Sequence, residues 1–351
     1  MILKKFKNKK IIVTGHTGFK GSWLSYWLYL NKAKVLGISD TYQNNSNFNA
    51  LKLEKKISSK ILDIRNFNKF KNLVLKYKPD FIFHLAAQSL VKKSYDKPMR
   101  TFNTNSIGTL NLLDALRFVK KKCSVVIITS DKSYKNLELN RGYKEDDLLG
   151  GEDPYSASKA CAELIFKSYF QSFLKKNKYI KIGVARAGNV IGGGDWSNYR
   201  LVPDCFKSWA KKNTVTIRNP KSTRPWQHVL EVLYGYQLFA LRLGKNNKLN
   251  GEAFNFGPNS SQDKSVINLV QEIKKNLSDF KWKVKKNKKF YESNLLKLNS
   301  NKARKKLNWS NKLSFAQTIT ITTRWYQDFY KKKFNIAKVS SSQIRDYEKK
   351  L

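Results

Sequence analysis

Short apolar runs alternate with helical patterns over the first half of the chain. The runs are nearly all apolar and rich in β-branched or aromatic residues, as strands covered on both faces of a sheet are. The predicted strands are Lys10–Thr14, Lys34–Ile38, Lys60–Ile64, Asp80–Leu85, Ser124–Thr129 and Ile180–Ala185. The predicted helices between them are Ser22–Asn31, Phe67–Tyr77, Ile107–Lys121 and Tyr155–Lys175. This alternation predicts an α/β fold with a Rossmann-type, doubly wound parallel sheet.

The third predicted helix carries a regular apolar stripe. Ile107, Leu110, Leu113 and Leu116 follow one another at intervals of three residues, which places them on one side of a helix. We therefore expect all four side chains to be buried.

The pattern becomes less regular after about residue 186. Glycines at 192–194 and prolines at 203, 220 and 225 separate short elements, before another predicted strand at Ala253–Phe256 and a last helix at Phe315–Tyr330. We expect residues 1–186, joined by about 229–257, to form a cofactor-binding domain. Residues 187–228 and 258–351 would form a smaller, loop-rich substrate lobe at the carboxyl ends of the strands, where open α/β sheets bind ligands.

The charge of the chain is unusually positive. Lys and Arg number 69 against 25 Asp and Glu in 351 residues, which gives a formal net charge of +44. Such a charge suggests a nucleic-acid or anionic-membrane partner. The lysines are nevertheless spread over loop-like Asn-Lys stretches instead of gathering in one tail, as compositional drift of surface positions would leave them. We expect neither nucleic acid nor a membrane as partner, and a functional polyanion surface is the alternative.

The sequence shows no targeting or membrane-spanning pattern. The basic residues 1–10 precede only a short apolar strand, and no run approaches the roughly 18 apolar residues that a membrane span needs. Cys123, Cys161 and Cys205 are far apart and have neither metal-ligand nor disulfide spacing. We expect a reduced, cytoplasmic protein without a bound metal.

A glycine motif, TGHTGFKG at residues 14–21, follows the first strand and opens the first helix. Its three glycines permit a tight turn, close approach of a pyrophosphate to backbone N–H groups, and close helix–strand packing. The N-terminus of the helix adds a partial positive charge where the phosphates would lie. The motif predicts a dinucleotide site that includes Gly15, Thr17, Gly18, Phe19, Lys20 and Gly21.

Acidic residues follow the second and third strands. Asp40 is placed to accept hydrogen bonds from an adenosine ribose and to repel a 2′-phosphate, which favours NAD over NADP. Asp63 and Ile64 end the third predicted strand and would meet the adenine. The alternatives are a solvated loop acid at Asp40 and a turn residue at Asp63.

Tyr155 and Lys159 stand four residues apart at the start of the fourth predicted helix, so both side chains project from one face. Asp153 and Pro154 supply a cap and a first-turn proline. An ammonium beside a phenol should lower the pKa of the phenol, which makes the tyrosinate available as a base for a sugar hydroxyl.

A second set of polar residues follows the fifth strand. These residues, Ser130, Asp131 and Lys132, should lie at the same edge of the sheet as Tyr155. The Ser130 hydroxyl can share a substrate proton with the tyrosinate. Asp131 can act as an acid, and Lys132 as a base if burial lowers its pKa. The alternative is an ordinary turn in which Asp131 is a cap.

Histidines and arginines give weaker signals. His16, His84 and His228 lack metal-ligand spacing, and a packing role stays open for each. Arg218 and Arg224 have guanidinium groups suited to a nucleotide diphosphate, with a solvated charge as the alternative.

Several sequence blocks together resemble the extended short-chain dehydrogenase/reductases, and within them the branch that acts on CDP-glucose. The blocks, in chain order between residue 10 and about residue 258, are TGHTGFKGSWL, FHLAAQ, TNSIGT, TSDKSY, DPYSASKACAE, ARAGNVIGGGDW and RPWQHVLE. Lys132 agrees with this branch, because the dTDP-glucose dehydratases carry glutamate there.

The resemblance implies conversion of CDP-D-glucose to CDP-4-dehydro-6-deoxy-D-glucose and water, with bound NAD recycled in place. Tyr155 would take the O4 proton, Lys159 would hold the nicotinamide ribose, and Asp131 would protonate the departing C6 hydroxyl. The base at C5 stays open, with Lys132 as one candidate. The remaining family positions are Leu85, Ala86, Ala87 and Asn105 for the cofactor, and Gln88, Asn189, Arg218, Arg224 and His228 for the nucleotide sugar.

The resemblance also implies a role in deoxy-sugar and lipopolysaccharide biosynthesis, and a homo-oligomer, dimer or tetramer, formed through the helices predicted at Ile107–Lys121 and Tyr155–Lys175. A nucleotide-sugar 4-epimerase of the same fold is the nearest alternative, since it shares the glycine motif, Tyr155 and Lys159. A non-catalytic basic binding module is the more distant one.

Overall fold

A parallel sheet lies at the centre of the protein. The computed structural model describes residues 2–42, 44–217, 219–258, 264–285, 297–332 and 334–351. The strands within these residues are β1 (Lys10–Thr14), β2 (Lys34–Ser39), β3 (Ser58–Ile61), β4 (Phe81–His84), β5 (Cys123–Ile128), β6 (Ile180–Ala187), β7 (Val190–Ile191), β8 (Val215–Ile217), β9 (Thr223–Arg224), β10 (Gln227–His228), β11 (Ala253–Phe256), β12 (Lys264–Ser265) and β13 (Trp282–Val284). Seven of these described strands form the main sheet, in the order β11-β6-β5-β4-β1-β2-β3, and every pairing is parallel.

Helices connect and cover these strands. The α-helices of the described residues are α1 (Phe19–Leu30), α2 (Asn47–Ala50), α3 (Phe67–Tyr77), α4 (Val91–Asp96), α5 (Pro98–Phe102), α6 (Gly108–Leu116), α7 (Pro154–Tyr169), α8 (Leu201–Ala210), α9 (Val229–Leu243), α10 (Val266–Asn276), α11 (Asn301–Leu307), α12 (Phe315–Tyr330) and α13 (Ile336–Glu348). No helix among the described residues has both the length and the apolar character needed to cross a bilayer.

The two faces of the sheet pack against separate hydrophobic cores. Along β1, Ile11 and Val13 join one core and Ile12 the other, as the alternation of side chains along a strand requires. The first core also contains residues of α1, α9 and α12, and the second contains residues of α3, α6 and α7. The Rossmann-type α/β class predicted from the sequence is confirmed. The division of the chain into two lobes stays a prediction.

The predicted apolar stripe of the third helix is partly wrong. Leu113 and Leu116 are buried, but Ile107 is 41% exposed. In place of one regular helix over Ile107–Lys121, α5 runs into a π-helical turn at Asn103–Ile107 and only then into α6. A π turn holds more residues than an α turn, so it rotates the side chains before it out of phase with those after it.

A buried ion pair joins α7 to β6. Arg186 and Glu163 are both buried, and the Arg186 Nε lies 2.8 Å from the Glu163 Oε1. Thr129, directly after β5, donates to the same carboxylate over 2.7 Å. On its other side, Arg186 donates to the Tyr134 hydroxyl, which in turn donates to Asn255 on β11. One network therefore fixes the carboxyl ends of β5, β6 and β11 relative to α7.

We expect Arg186→Met to lower the free energy of unfolding by about 3–5 kcal/mol, because it leaves the Glu163 carboxylate buried and unpaired. Denaturant titration measures the change. The double variant Arg186→Met/Glu163→Leu should regain much of the loss, since no buried charge remains.

The matched control for this prediction is Lys349→Met. It removes one partner of an exposed ion pair with Asp346 and should leave the free energy of unfolding unchanged. A loss below about 1 kcal/mol in Arg186→Met would mean that the buried pair does not stabilise the fold.

Candidate active site

The glycine turn after β1 is packed too closely to admit side chains. Gly15 has a φ of +73°, and a Cβ there would lie 2.8 Å from the backbone nitrogen of Ala86. A Cβ on Gly21 would lie 2.0 Å from the Gly15 carbonyl oxygen. Gly18 occupies the N-cap of α1 and has no side chain to cover the first N–H groups of that helix. This is a cradle of backbone donors at a helix N-terminus, which suits a phosphate group.

The other residues of the motif hold the turn against β2. Thr17 donates from its hydroxyl to the Thr41 carbonyl over 3.1 Å. His16 is buried, with its ring nitrogens 3.0 Å from the Ser39 hydroxyl and 2.6 Å from that of Ser59. Burial lowers the pKa of His16 to about 4, so the ring is neutral. His16 therefore acts in packing the turn.

The two acidic residues after β2 and β3 are paired with arginines. Asp40 lies 3.2 Å from Arg100, and both side chains are nearly half exposed. Asp63 accepts from the Arg65 Nε, and this hydrogen bonding lowers the pKa of the carboxyl below its usual range. Ile64 is buried, and its carbonyl accepts a hydrogen bond from Asn111. Asp40 and Asp63 are accessible to a ribose, but each already shares its carboxylate with a guanidinium group.

The segment after β4 runs beside the glycine turn. Leu85 and Ala86 donate from their backbone nitrogens to the Thr14 carbonyl and hydroxyl. Leu85, Ala86 and Ala87 are half-buried. Asn105 brackets the backbone of Gln88, accepting from its N–H over 2.8 Å and donating to its carbonyl over 3.0 Å. Asn105 therefore fixes the position of this edge.

The Gln88 side chain is hydrogen-bonded to the segment that follows it, and its predicted role at the nucleotide sugar stays a prediction. Its amide donates to the Leu90 carbonyl and the Thr101 hydroxyl and accepts from the Leu90 N–H. All of its polar atoms thus serve the connection between β4 and α5. No sequence pattern indicates these contacts, because the partners lie in a loop and in a later helix.

Ser130, Asp131 and Lys132 form a tight turn at the end of β5. The Ser130 hydroxyl donates to the Asp131 Oδ1 over 2.8 Å, and the Lys132 backbone N–H donates to the same oxygen over 2.9 Å. Asp131 is only 7% exposed, and burial raises the pKa of its carboxyl despite the opposing charges of Lys132 and Lys20. Ser130 is the N-cap of this turn, and Asp131 accepts from the same Lys132 N–H. The role of Asp131 as an acid stays a prediction.

Tyr155 and Lys159 are both buried on the inner face of α7, which begins where Asp153 caps it. Burial, together with the nearby charge of Lys20, lowers the pKa of Lys159 to about 7. Burial raises the pKa of Tyr155, which the Ser130 hydroxyl opposes. The expectation that Lys159 brings the phenol pKa toward neutrality is wrong for this structure. Desolvation dominates, and a lysine with a pKa near 7 carries only part of its charge at neutral pH.

Three further side chains interact electrostatically with Asp131 or Tyr155, namely those of Lys20, Arg200 and Tyr236. The sequence did not indicate Arg200 or Tyr236 as site residues. Lys20, predicted only as part of the glycine motif, interacts electrostatically with Asp131, Lys159 and Arg200. Arg200 accompanies the GGGDW block and is held by Asp195 at 3.1 Å. Tyr236 is completely buried in α9 and interacts electrostatically with Tyr155 and Asp131. A tyrosine inside an apolar helix carries no sequence signal of such a position.

The residues predicted for the nucleotide sugar lie in different environments. Asn189 and Arg224 are half-buried, and the Asn189 carbonyl accepts from the backbone of Gln227. His228 is completely buried, and its Nδ1 caps α9 by accepting from the Leu230 N–H at 3.3 Å. Its Nε2 has no hydrogen-bond partner among the described residues, and the predicted role of His228 at the nucleotide sugar stays a prediction. Arg218 lies outside the described residues.

Known proteins match this chain over most of its length. The family model described as GDP-mannose 4,6 dehydratase matches residues 12–322. The chain belongs to the GDP-mannose 4,6-dehydratase family. This family membership confirms the resemblance to the extended short-chain dehydrogenase/reductases that the sequence blocks carried.

Individual members of the family and of its fold give a finer comparison. The chain is 41% identical to a CDP-glucose 4,6-dehydratase of Salmonella typhimurium, over 99% of this chain and 98% of that protein. A solved epimerase of Methanothermobacter thermautotrophicus, 22% identical, has a TM-score of 0.79 and covers 94% of this chain and 95% of its own. The NAD complex of a dTDP-glucose 4,6-dehydratase from Bacillus anthracis, 21% identical, has a TM-score of 0.75 with 91% and 97% covered. The two structures share the fold of this dehydratase-family chain.

The three histidines of the protein should make folding sensitive to acid. Burial lowers the pKa of His16 to about 4 and of His84 and His228 to about 3. The unfolded chain binds protons at these rings below about pH 6.5 whereas the folded chain does not. Stability should therefore fall as the pH decreases below about 6.5, by up to about 1.4 kcal/mol per pH unit for each histidine. Denaturant midpoints measured between neutral pH and the onset of acid unfolding test this.

The control is His228→Asn, in which the amide oxygen can still cap α9 but no longer titrates. Its stability should depend less steeply on pH than that of the unmodified chain. Imidazole resonances that shift between pH 5 and 8 in the folded protein would contradict the prediction, with about 6.5 as the ordinary midpoint.

Proposed function

We propose that the chain is an NAD-dependent CDP-glucose 4,6-dehydratase, a hydro-lyase that converts CDP-D-glucose to CDP-4-dehydro-6-deoxy-D-glucose and water. One observation carries the proposal: side chains of the predicted catalytic set meet at the end of β5. The Ser130 hydroxyl contacts both Tyr155 and Asp131, and the Lys159 Nζ lies 3.4 Å from the Ile128 carbonyl. The 41% identity to the Salmonella typhimurium protein supports the choice of CDP-glucose. Asp131 and Lys132 add an acid–base pair that a 4-epimerase does not need.

The residues at the glycine turn fit NAD. Any side chain at Gly15 or Gly21 would collide with backbone, so this turn keeps a clear approach to the N–H groups of α1. Asp40 would accept from the adenosine ribose, and Lys159 would hold the nicotinamide ribose. NAD, when bound, takes a hydride from the sugar and later returns it, so that the overall reaction is a dehydration.

Tyr155 would act as the base at the sugar O4. Because burial raises the pKa of its phenol, the hydroxyl of Ser130 and the charge of Arg200, which both lower that pKa, must favour the ionised form when substrate arrives. The Ser130 hydroxyl already donates to Asp131, and it can share the substrate proton with Tyr155. Exclusion of water from this buried point strengthens each of these interactions.

Asp131 would act as the acid at C6. Burial raises the pKa of its carboxyl, which favours the protonated form that an acid needs before reaction. Lys132 is half-buried beside it and is one candidate for the base at C5. Of the predicted sugar-binding residues, Asn189 and Arg224 are the ones that we propose for the nucleotide diphosphate, together with Arg218 and the newly identified Arg200.

The cellular role follows from the reaction. We propose a cytoplasmic enzyme of deoxy-sugar synthesis for lipopolysaccharide or a related polysaccharide. Its charge would draw a doubly negative nucleotide sugar toward the protein. This effect concerns the encounter rate and requires no nucleic-acid or membrane partner.

The test of the proposed function is incubation of the purified protein with CDP-glucose and NAD. We expect a 4-keto-6-deoxy product without net formation of NADH. Tyr155→Phe should reduce turnover by about 10²–10⁴-fold, which is the usual contribution of a general base. Formation of CDP-galactose would identify a 4-epimerase instead, and unchanged turnover in Tyr155→Phe would remove this residue from the mechanism.

We further propose a homo-oligomer formed through α6 and α7. Large apolar side chains are exposed along both helices and the turns that adjoin them, at Ile107, Phe118, Leu164 and Phe173. On a monomer these side chains would remain in water, whereas a second copy of the same face would cover them.

Leu164→Lys should therefore convert the oligomer into a monomer, because it places a charge where 56% of the leucine surface is exposed on α7. Sedimentation velocity measures the change in size. Leu148→Lys, also at an exposed leucine but outside α6 and α7, is the control and should leave the oligomer intact. An unmodified chain that sediments as a monomer would contradict the proposal.

A further inference from the structure

Two ion pairs lie where the adenosine end of the dinucleotide would bind. Asp40 follows β2 directly, and the Arg100 Nη2 on α5 lies 3.2 Å from its Oδ2. Asp63 comes shortly after β3, and the Arg65 Nε donates to both of its carboxylate oxygens, over 2.9 and 2.8 Å. The charges of the two pairs also act on each other, that of Arg100 on Asp63 and that of Asp40 on Arg65. Two carboxylates are therefore balanced by two guanidinium groups at this end of the site.

The pairing of Asp40 changes what its charge can do to a cofactor. An acidic residue at the end of the second strand accepts from the ribose 2′-hydroxyl of NAD, and an arginine nearby accommodates the 2′-phosphate of NADP. A phosphate monoester carries a charge of about −1.5 to −2 at neutral pH, so an unpaired carboxylate would repel it. The expected selectivity for NAD rests on Asp40 alone, and the structure places the opposite charge of Arg100 beside it.

Arg100 can reach the position of a 2′-phosphate. Its guanidinium group contacts the same carboxylate that would bind the ribose, so one hydrogen-bonded contact separates it from the ribose 2′ oxygen. A guanidinium group carries five N–H donors in a planar fork, and the contact with Asp40 uses the Nη2. The group can therefore hold a carboxylate and a phosphate at the same time, and phosphate is an anion that such a fork binds well.

The pair between Arg100 and Asp40 is also easily rearranged. The two side chains are 46% and 42% exposed. An exposed ion pair contributes little to stability, so turning Arg100 from Asp40 toward a bound phosphate costs little free energy. The buried pair of Arg186 and Glu163, by contrast, cannot open without leaving a charge buried and unpaired.

We propose that the dinucleotide site accepts NADP as well as NAD, and that Arg100 is the residue that determines this. With NAD, Asp40 accepts from the ribose. With NADP, Arg100 offsets the charge of Asp40 and donates to the 2′-phosphate. The inference goes beyond the proposed function, because it concerns the adenosine end of the cofactor and holds whichever nucleotide sugar is the substrate.

The experiment is equilibrium binding of NAD and of NADP to the full chain, purified free of bound nucleotide. Calorimetric titration at one ionic strength measures both dissociation constants, because salt screens exposed charges. Arg100→Met removes the guanidinium group, and Arg100→Lys keeps a charge without the fork. The double variant Arg100→Met/Asp40→Asn also removes the carboxylate that Arg100 offsets. Arg141→Met, which breaks the exposed pair of Arg141 with Asp147, is the matched control.

We expect the unmodified chain to bind NADP within about tenfold of NAD, because a guanidinium–phosphate contact compensates for the nearby carboxylate. Arg100→Met should weaken NADP binding by about 10- to 100-fold, the contribution of a charge-assisted hydrogen bond, and change NAD binding by less than about threefold. Arg100→Lys should weaken NADP binding less than Arg100→Met does. Arg141→Met should bind both nucleotides as the unmodified chain does.

The double variant separates an electrostatic role of Arg100 from a structural one. Arg100→Met/Asp40→Asn should bind NADP about tenfold more tightly than Arg100→Met alone, because no carboxylate then repels the phosphate. A role of Arg100 in holding α5 in place would not produce this recovery, since the second substitution restores no contact to α5.

Several results would overturn the inference. They are a preference of the unmodified chain for NAD of more than about tenfold, an equal loss of NAD and NADP binding in Arg100→Met, or NADP binding that Arg100→Met leaves unchanged. Failure of the chain to bind either nucleotide would overturn the NAD site together with this inference. Failure to dehydrate CDP-glucose, with both nucleotides bound as expected, would overturn the proposed function alone.

Discussion

The buried pair between Arg186 and Glu163 is the interaction on which the rest of the site depends. It lies one helical turn after Lys159 on α7, and through Thr129, Tyr134 and Asn255 it connects the ends of three strands. In the low dielectric of the interior, each of these groups is stable only in the presence of its partners. The network therefore allows few alternative arrangements of α7 against the sheet. As a result, Tyr155 and Lys159 on α7 are held in a fixed position relative to the turn after β5.

Desolvation is the second constraint, and it makes the pKa values of groups in the interior differ from those of groups at the surface. The formal charge of +44 belongs largely to exposed lysines, whose charge is fully solvated. Inside, burial lowers the pKa of Lys159 to about 7 and of Lys20 to about 8, and it raises the pKa of Asp131. Groups that would be permanently charged in water are thus brought near the point where a proton can move at neutral pH, which is what acid–base chemistry on a sugar requires.

Much of this could be anticipated from sequence, because the signals are local. Most of the parallel strands are continuous apolar runs, although β3 (Ser58–Ile61) is polar and starts two residues before the predicted Lys60–Ile64. The glycine turn needs glycine at Gly15 for its positive φ and at Gly21 for close packing. The error at Ile107 has a local cause, because a π turn rotates this side chain outward. Gln88 bonds to Thr101 and His228 caps α9, which are contacts that the sequence did not indicate. The relation of Lys159 to Tyr155 was misjudged because burial cannot be read from a spacing of four residues.

The sequence by itself determined the order of strands and helices, the phosphate-binding turn, and the identity of the residues at the carboxyl ends of β1, β4 and β5. These follow from periodicity, glycine geometry and side-chain chemistry, which act over a few neighbouring residues. Only the tertiary structure decided which of those residues are buried from solvent and which already have hydrogen-bond partners. It also decided that Tyr236 and Arg200 belong to the same group of interacting residues. The reason is physical: pKa values and free hydrogen-bonding groups depend on what packs around a side chain, and the packing partners come from distant parts of the chain.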